Sequence, residues 1–509
     1  MLDIIKHWRS MPGNFKTVNL FDTIYTGITT SLVYGLGEAV NILDKFGANL
    51  NKKWKQGEKL KVLFLAYSGA RNTGAEVRVA ECIRQVNQVL GEENTEINMT
   101  TLDLKEAGEY FKDYRVNLHE FSSVFFGDIF KQVLNNHMIV LVEGSCWKEN
   151  FATALLLYFL YGSGLAQMMD KPCFSYAVDA GQMNKLNNFI SWLLSKNTKL
   201  ITRSEEASHV LESIHLPGAI KRVDTAWSMP VESDRWVEDE LRKLGWNGKQ
   251  KLAGIAFQNY FWWPVVPDLV RYFKSLVTGD TTNQYKLVYF YDYDEQDKQE
   301  YEKFRDQCAK FMDWLADEKG MLPVIVAMEA LDDKMCRDLI SVMRNKAILI
   351  SCNEYVGTQM GAILRKLHIL TTTRYHAMVL SMPGCIPFIG LSRDERIRGV
   401  MKETGLFEKY YVEHKTPNLF EVLKEKSSLL LEAKEHARVR KIIGDNLPYY
   451  FAQMGMLGLD IRNFVTEQFS GIKIADIDEN DVTKLVPYVP PQCIQASQKR
   501  FEMIRKNIE

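Results

Sequence analysis

The chain has 509 residues, which is too long for one hydrophobic core and predicts two domains or slightly more. Lys and Arg total 63 against 64 Asp and Glu, so no basic excess indicates nucleic acid as a partner. The content of 46% hydrophobic and 25% charged residues is typical of a soluble globular protein. The 8 cysteines include no Cys-x-x-Cys pair, which argues against a zinc cage or a disulfide framework. Scattered, unpaired cysteines favour a reducing compartment, so we expect a cytoplasmic protein.

The N-terminal residues 1–58 are predicted to form a helical extension. They show no signal-peptide pattern and no uncharged span of about 20 residues, the length that a membrane helix needs. Residues 24–40 could form an amphipathic helix. Such a helix lies on a membrane surface or a partner, which would place the protein at the inner face of the membrane. Alternatively, the helix docks on its own domain.

The first predicted domain, 59–231, alternates strands and helices in the way that builds a parallel sheet. A buried strand at 62–66 runs into a glycine-bearing loop and a helix, and a second at 138–142 ends in a short polar segment. Ligands of open parallel sheets bind beyond the carboxyl ends of the strands, so these segments are candidate ligand sites. The candidate residues are Asn72, Gly74, Glu143, Gly144 and Ser145.

A third strand end in this domain carries an arginine. The short strand 200–202 is followed by Arg203, and Ser204 is a good N-cap for a helix with acids in its first turn. Two interpretations are open. Arg203 binds an anion, or it forms a salt bridge to a nearby acid.

A second predicted domain, 248–430, follows a polar connection at 232–251 and repeats the alternation of strands and helices. Its first strand, 252–257, precedes four consecutive aromatics at 260–263, which either stack on sugar faces or cover a domain interface. Return helices are predicted at 431–468 and a C-terminal appendage at 469–509. Two Rossmann-like domains facing a cleft form an α/β architecture of the GT-B type, which is the predicted fold class.

The most informative stretch is 367–390. Its pattern predicts a strand at 367–370, a turn at 371–373, a short helix from Tyr375 and a second strand at 386–389. Arg374 and His376 then lie at a strand end, where a helix begins. A fixed cation beside the unpaired N–H groups of a helix start makes an anion site, and histidine titrates near neutral pH. Arg374 could alternatively be a surface cation and His376 a satisfied histidine, but the apolar surroundings favour a site.

Several of these stretches together resemble one family, the polysaccharide pyruvyl transferases. The stretches are 69–76, 140–145, 202–208, the motif Arg374-Tyr375-His376-Ala377, the strand after Gly384 and the charged loop 394–396. Their order and spacing agree over about 62–405. The first loop departs from the family pattern, because Ala75 stands where the family has aspartate.

The resemblance implies a transferase that moves the pyruvyl group of phosphoenolpyruvate onto two hydroxyls of a sugar, forming a ketal. The sugar would belong to a surface polysaccharide or its precursor, so the implied partners are phosphoenolpyruvate and a glycan or glycolipid. By this resemblance Arg203 and Arg374 hold the donor's phosphate and carboxylate, and His376 is the general acid or base. Tyr375 and the strand-end residues named above are implied to bind substrate. The scheme needs no cofactor and no metal.

Two other functions stay open at this stage. One is a glycosyltransferase of the same fold with a nucleotide-sugar donor, although no acidic residue for the ribose and no aromatic for the base could be assigned. The other is a catalytically inactive glycan-binding relative. The lost loop aspartate favours the inactive relative, whereas Arg203, Arg374 and His376 favour the enzyme.

Overall fold

The computed structural model describes residues 2–13, 20–122, 124–149, 152–263, 265–279, 284–286, 289–291 and 293–507. The strands are β1 (Leu60–Leu65), β2 (Thr95–Thr101), β3 (Asn117–Glu120), β4 (Met138–Leu141), β5 (Cys173–Ser175), β6 (Thr198–Lys199), β7 (Ile201–Thr202), β8 (Ile220–Lys221), β9 (Leu252–Ala256), β10 (Val265–Pro267), β11 (Gln284–Lys286), β12 (Tyr289–Tyr291), β13 (Leu322–Ala327), β14 (Ile348–Ser351), β15 (Ile369–Thr372), β16 (Phe388–Ser392) and β17 (Tyr411–Glu413).

The α-helices are α1 (Leu2–Ser10), α2 (Leu20–Lys45), α3 (Thr73–Leu90), α4 (Leu104–Tyr110), α5 (Phe126–Asn135), α6 (Thr153–Met168), α7 (Lys185–Leu194), α8 (Glu205–Ser213), α9 (Asp234–Lys243), α10 (Leu269–Thr278), α11 (Glu295–Lys319), α12 (Ala330–Val342), α13 (Gly357–Leu364), α14 (Tyr375–Ser381), α15 (Glu395–Glu403), α16 (Phe407–Tyr410), α17 (Leu419–Leu431), α18 (Ala433–Gln468), α19 (Val482–Leu485) and α20 (Ile494–Lys506). Short 3-10 helices lie at Thr225–Ser228, Met382–Gly384 and Pro491–Cys493.

Two parallel sheets form the centres of the two domains. Within the described residues each sheet has six strands, in the order β3-β2-β1-β4-β5-β6 and β14-β13-β9-β15-β16-β17. Central strands such as β4 are apolar and buried at every position, because helices cover both faces of a parallel sheet. The predicted fold class of two Rossmann-like domains is therefore confirmed.

The strands around the Arg-Tyr-His motif begin and end later than predicted. The turn expected at 371–373 is largely strand, because Thr371 and Thr372 pair with Ile255 and Ala256 of β9. β-Branched threonines fit this buried pleated position as well as they fit a turn. The following strand, β16, likewise extends to Ser392.

Other predicted elements also differ from the structure. The polar connection 232–251 contains the helix α9. Helix α18 runs unbroken through Pro448, although the sequence pattern predicts separate helices at 421–443 and 446–464. The sequence pattern also predicts a strand at 286–291, of which residues 287 and 288 lie outside the described residues, as does Pro264 after the aromatic run.

Helix α18 leaves the second domain and packs on the first. The Tyr450 ring stacks on the Trp227 ring, with centroids 3.9 Å apart and planes at 7°. Gln85 of α3 donates hydrogen bonds to the carbonyl oxygens of Met454 in α18 (2.8 Å) and Leu485 in α19 (2.6 Å). The described part of the predicted appendage 469–509 therefore docks on the first domain beside α18.

The N-terminal helix α2 docks on its own domain, which was one of the two interpretations of 24–40. Val33 and Val40 are buried, and Asn41 donates a hydrogen bond to the carbonyl of Met168 at the end of α6 (3.0 Å). At Gly37 an added Cβ would lie 2.5 Å from the Cβ of Met168, so the two helices approach closely there. None of the described helices is long and apolar enough to cross a membrane.

The Trp227–Tyr450 stack leads to a stability prediction. Both side chains are almost fully buried, so Tyr450→Ala leaves a cavity and is expected to lower the free energy of unfolding by about 3 to 5 kcal/mol. Tyr450→Phe keeps the stacked ring and should cost less than about 1.5 kcal/mol. Urea denaturation measures both values. Equal losses in the two variants would contradict a role for the stacked ring.

Candidate functional site

A cavity of about 350 Å³ lies between the two domains, at the carboxyl ends of strands from both sheets. Of the predicted site residues, it is lined by Asn72, Gly74, Glu143, Ser145, Arg374, Tyr375 and His376. The other lining residues are Phe21, Tyr25, Tyr67, Ala75, Leu102, Phe121, Val124, Phe125, Ala152, Ala154, Leu155, Tyr158, Trp263, Met328, Glu329 and Arg396. The structure thus brings together most of the strand ends that the sequence marked as candidates.

His376 lies in the first turn of α14, directly after β15. Its Nε2 is 3.4 Å from Oδ2 of Asp224, and its ring packs so closely on Gly74 that a Cβ there would overlap the imidazole. Burial lowers the pKa of His376 to about 4, although Asp224 acts in the opposite direction. His376 is therefore neutral near pH 7, which differs from the titration near neutral pH that the sequence led us to expect.

Asp224 is the buried carboxylate that orients this histidine. It accepts a hydrogen bond from Nη1 of Arg203 (2.7 Å), and its Oδ1 lies 3.7 Å from Nε of Arg78. Burial alone would raise the pKa of Asp224, but Arg78, His376 and Arg203 together lower it well below its usual value. Asp224 therefore stays ionised, and sequence reasoning missed its role.

Arg203 does not reach the cavity, which corrects the expectation that it holds the donor directly. Its side chain is 1% exposed, and its two terminal nitrogens bond to Asp224 and to Asp179 (3.0 Å). Burial would lower the pKa of Arg203, but Asp179 and Asp224 raise it well above its usual value. Of the two interpretations of Arg203, the structure shows the salt bridge, and the residue positions Asp224.

Gly144, a predicted site residue, does not line the cavity but packs against two guanidinium groups. An added Cβ at Gly144 would lie 2.7 Å from both Arg203 Nη1 and Arg78 Nη1, so a larger residue would displace them. The neighbouring Glu143 reaches the cavity, and its buried Oε2 has no hydrogen-bond partner among the described residues. Burial raises the pKa of Glu143, against the opposing effect of Arg78 and Arg203.

Arg374 lines the cavity and is held by two carboxylates. Its Nε donates to Oδ2 of Asp332 (2.8 Å), its Nη2 contacts Oδ1 of the same residue, and its Nη2 lies 2.9 Å from Oε2 of Glu329. Asp332 is fully buried, and burial raises its pKa to about 6 even though Arg374 lowers it. The guanidinium is therefore fixed in position, with the largely buried Glu329 as its cavity-facing partner.

Arg396 is a second guanidinium in the cavity, and its role was not predicted. Its Nε donates to Oδ1 of Asp394 (2.8 Å), and its guanidinium lies 5.4 Å from the centre of the Tyr375 ring. The sequence marked 394–396 only as a charged loop. The pattern that marked Arg374 could also have identified Arg396. Arg396 likewise follows the end of a strand, β16, and lies in the first turn of a helix.

Asn72 lines the cavity but uses its side-chain oxygen locally. This oxygen accepts hydrogen bonds from the backbone N–H groups of Gly74 (3.1 Å) and Ala75 (3.2 Å), so Asn72 is the N-cap of α3. The N–H of Thr73 donates to the carbonyl of Met328 in the second domain (2.8 Å). The backbone N–H groups at the start of α3 therefore already have hydrogen-bond acceptors within the protein and are not available to a ligand.

The aromatic run after β9 packs within the second domain, and one of its rings reaches the cavity. Tyr260 is buried and donates a hydrogen bond to the carbonyl of Thr373 (2.5 Å), which supports the turn before Arg374. Trp262 stacks on Tyr291 at 4.7 Å, and Trp263 lines the cavity. Within the described part of the chain, no group of His, Cys, Asp and Glu side chains could hold a metal ion.

Comparison with known proteins shows the fold. No family model matches the chain, and no curated protein matches it. The HepE protein of Anabaena in complex with UDP is similar at 10% identity and a TM-score of 0.52, over 80% of this chain and 100% of that chain. The MnaA–UDP structure from S. aureus is similar at 13% identity and a TM-score of 0.51, over 82% of this chain and 100% of that one.

A putative UDP-N-acetylglucosamine 2-epimerase from Listeria monocytogenes is similar at 11% identity and a TM-score of 0.50, over 82% of this chain and 99% of that chain. At these identities the likeness concerns the fold alone. Together with the two parallel six-stranded sheets of the described residues, it shows that the chain has the GT-B fold.

The buried histidine predicts a specific acid sensitivity. The folded-state pKa of His376 is about 4 and the usual unfolded value is about 6.5, so the unfolded state binds the extra proton first as the pH falls. Between pH 6.5 and 4 this costs the wild type up to about 3 kcal/mol of unfolding free energy. In His376→Gln the loss should be smaller by that amount, as measured by urea denaturation at a series of pH values.

A matched control is His209→Gln, since His209 is exposed on α8. It should leave the pH dependence of the wild type unchanged. A wild-type pH dependence in His376→Gln would show that His376 is not held neutral by burial.

Proposed function

We propose that the protein is a pyruvyl transferase that moves the pyruvyl group of phosphoenolpyruvate onto two hydroxyls of a sugar, forming a ketal. The observation that carries the proposal is the meeting of Arg374, Arg396 and His376 in one cavity between the domains. The motif resemblance at Arg374-Tyr375-His376 supports the same donor. A volume of about 350 Å³ suits a small donor, since ligand pockets start at about 300 Å³.

The charge of the donor fits the two cavity arginines. Phosphoenolpyruvate carries a phosphate and a carboxylate close together, and guanidinium groups bind such anions through paired hydrogen bonds. Arg374 is oriented by Asp332, and Arg396 by Asp394, so little side-chain freedom is lost on binding. Arg203 contributes indirectly, through its hydrogen bond to Asp224.

The reaction needs two proton-transfer groups. One sugar hydroxyl adds to C2 of the donor while a proton is delivered to the methylene carbon, which becomes a methyl group. The C2–O bond to phosphate then breaks and the phosphate leaves with the electron pair. The second hydroxyl adds to C2. The two hydroxyl protons thus balance the new methyl group and the hydrogen phosphate.

His376 and Glu143 suit these two tasks. His376 is neutral near pH 7, so it can take the proton of the attacking hydroxyl and pass it to the departing phosphate. Glu143 lines the same cavity with an unpartnered Oε2 among the described residues, so we assign its carboxyl the transfer of a proton to the methylene carbon, after which it regains a proton from the second hydroxyl. The cavity arginines stabilise the charge on the leaving phosphate.

A second candidate is an enzyme that acts on a nucleotide sugar. It is favoured by the fold, since the similar HepE and MnaA structures were determined with UDP. A glycan-binding relative without catalysis is the third candidate, and turnover separates it from the other two.

Donor binding tests the proposal through thermal stability. Phosphoenolpyruvate at a hundredfold excess over its Kd should stabilise the protein by about 3 kcal/mol, whereas UDP-N-acetylglucosamine should not. Arg374→Ala should abolish the effect, and Arg337→Ala, which removes an exposed arginine of α12, should retain it. His376→Gln should keep the stabilisation but lose phosphate release with methyl glycosides that offer a pair of free hydroxyls. Stabilisation by the nucleotide sugar alone would favour the second candidate.

Glu329 provides a sharper test of where the donor binds. Its carboxylate competes with an anionic donor for Arg374, so Glu329→Gln should bind phosphoenolpyruvate roughly tenfold more tightly, which equals about 1.4 kcal/mol. Asp332→Asn should bind it more weakly, because Asp332 orients the same guanidinium. Isothermal titration measures each Kd, with the exposed Glu354→Gln as control. Weaker binding by Glu329→Gln would place the donor away from Arg374.

A further inference from the structure

The cavity has an apolar wall that the donor does not use. The wall contains Phe21 and Tyr25 of α2, together with Phe121, Phe125 and Tyr158 of the first domain. Tyr25 meets Phe125 at a ring-centroid distance of 6.2 Å, so α2 itself closes this side of the site. A small, highly charged donor gains nothing from an aromatic wall of this extent, whereas an apolar part of the acceptor would be buried there.

The outward face of α2 is also apolar. Leu20 is 75% exposed, Ile24 54%, Ile28 45% and Phe46, directly after the helix, 86%. The opposite face of the helix is already used against α6, so these residues do not contribute to that packing. A row of exposed large apolar side chains along one helix is typical of a surface that contacts an apolar partner.

The outward face and the apolar wall adjoin at the mouth of the cavity. Ile24 is next to Tyr25 on α2, and Val124 both lines the cavity and is 68% exposed. Apolar side chains therefore continue from the outward face of α2 to the mouth of the cavity, where an apolar chain lying along α2 can enter. This continuity distinguishes a lipid from a folded protein partner, which would cover the mouth of the cavity.

The charges around α2 agree with a lipid surface. Within the described residues of the helix, Glu38 is the only exposed acid. Four exposed lysines lie at its end or in the following ten residues, namely Lys45, Lys52, Lys53 and Lys55. Lysines that flank an apolar helix face are attracted to anionic lipid headgroups.

We propose that α2 lies on a membrane surface and that the site takes an acceptor sugar carried on a lipid, whose chain lies along the aromatic wall of the cavity beside Tyr25 and Phe125. The identity of the acceptor rests on the proposed function, since it is the sugar that receives the pyruvyl group. Contact with the membrane rests only on α2.

Vesicle flotation tests the membrane contact. The wild type should float with vesicles of phosphatidylcholine and phosphatidylglycerol, and less with phosphatidylcholine alone. Replacing three outward residues together, as Ile24→Gln, Ile28→Gln and Phe46→Gln, should reduce binding at least about tenfold, because their apolar area no longer enters the membrane. These side chains are exposed, so the variant should fold. Val270→Gln with Val277→Gln removes equally exposed residues of α10 and should bind as the wild type does.

Two results of the flotation experiment would overturn the proposal. One is no flotation of the wild type with either vesicle. The other is a wild-type dimer in light scattering that the three substitutions convert to a monomer, since the face would then bind a second copy of the chain.

The lipid chain is tested with octyl glucoside, below its micelle concentration, against methyl glucoside. The octyl compound alone should raise the midpoint of thermal unfolding, by about 2 °C or more, and Phe125→Ser should abolish the shift. Equal effects of the two glucosides would overturn the lipid-bearing acceptor. The tests separate the two proposals. Flotation without stabilisation by phosphoenolpyruvate would reject phosphoenolpyruvate as the donor and leave the membrane contact standing. Stabilisation by phosphoenolpyruvate without flotation would reject the membrane contact alone.

Discussion

The site depends on one buried carboxylate, that of Asp224. It bonds to Arg203, lies beside Arg78 and orients His376, so side chains of both domains meet on a single charge. A buried ionic group of this kind adds little net stability, because its desolvation offsets the attraction. Within the described residues, removing Asp224 would nevertheless leave Arg203 with Asp179 as its one carboxylate and Arg78 with backbone carbonyl oxygens alone. The cluster is therefore better explained as a device that fixes the geometry of His376 than as a source of stability.

Backbone hydrogen bonds in the same region link the two domains. The N–H of Thr73 donates to the carbonyl of Met328, and the N–H of Ala330 donates to the carbonyl of Arg71 (3.0 Å), which makes a short backbone bridge across the interface. This bridge lies at the start of α3, where Gly74 packs on His376. The cavity arginines and the histidine are thus held at fixed distances before any ligand binds, which favours a site with defined geometry.

The fold and the position of Arg374 and His376 could be predicted because both depend on local patterns: apolar strands, a polar turn and a short helix. The partners of the arginines could not. Asp179 and Asp224 lie on either side of Arg203 in the sequence, and only the closeness of their strand ends in the fold brings them together. Local sequence therefore left open whether Arg203 binds an anion or forms a salt bridge, whereas the fold buries it between two carboxylates. The contribution of α2 to the cavity likewise arises from tertiary packing.

The central claim is that a small anionic donor binds between Arg374 and Arg396 with its reacting carbons beside His376 and Glu143. The most direct measurement is a crystal structure with phosphoenolpyruvate bound. The account predicts the phosphate and carboxylate on the two guanidinium groups, with Glu329 displaced from Arg374 and Arg203 still bonded to Asp224. Donor density elsewhere in the cleft, with Arg374 still paired to Glu329, would contradict it.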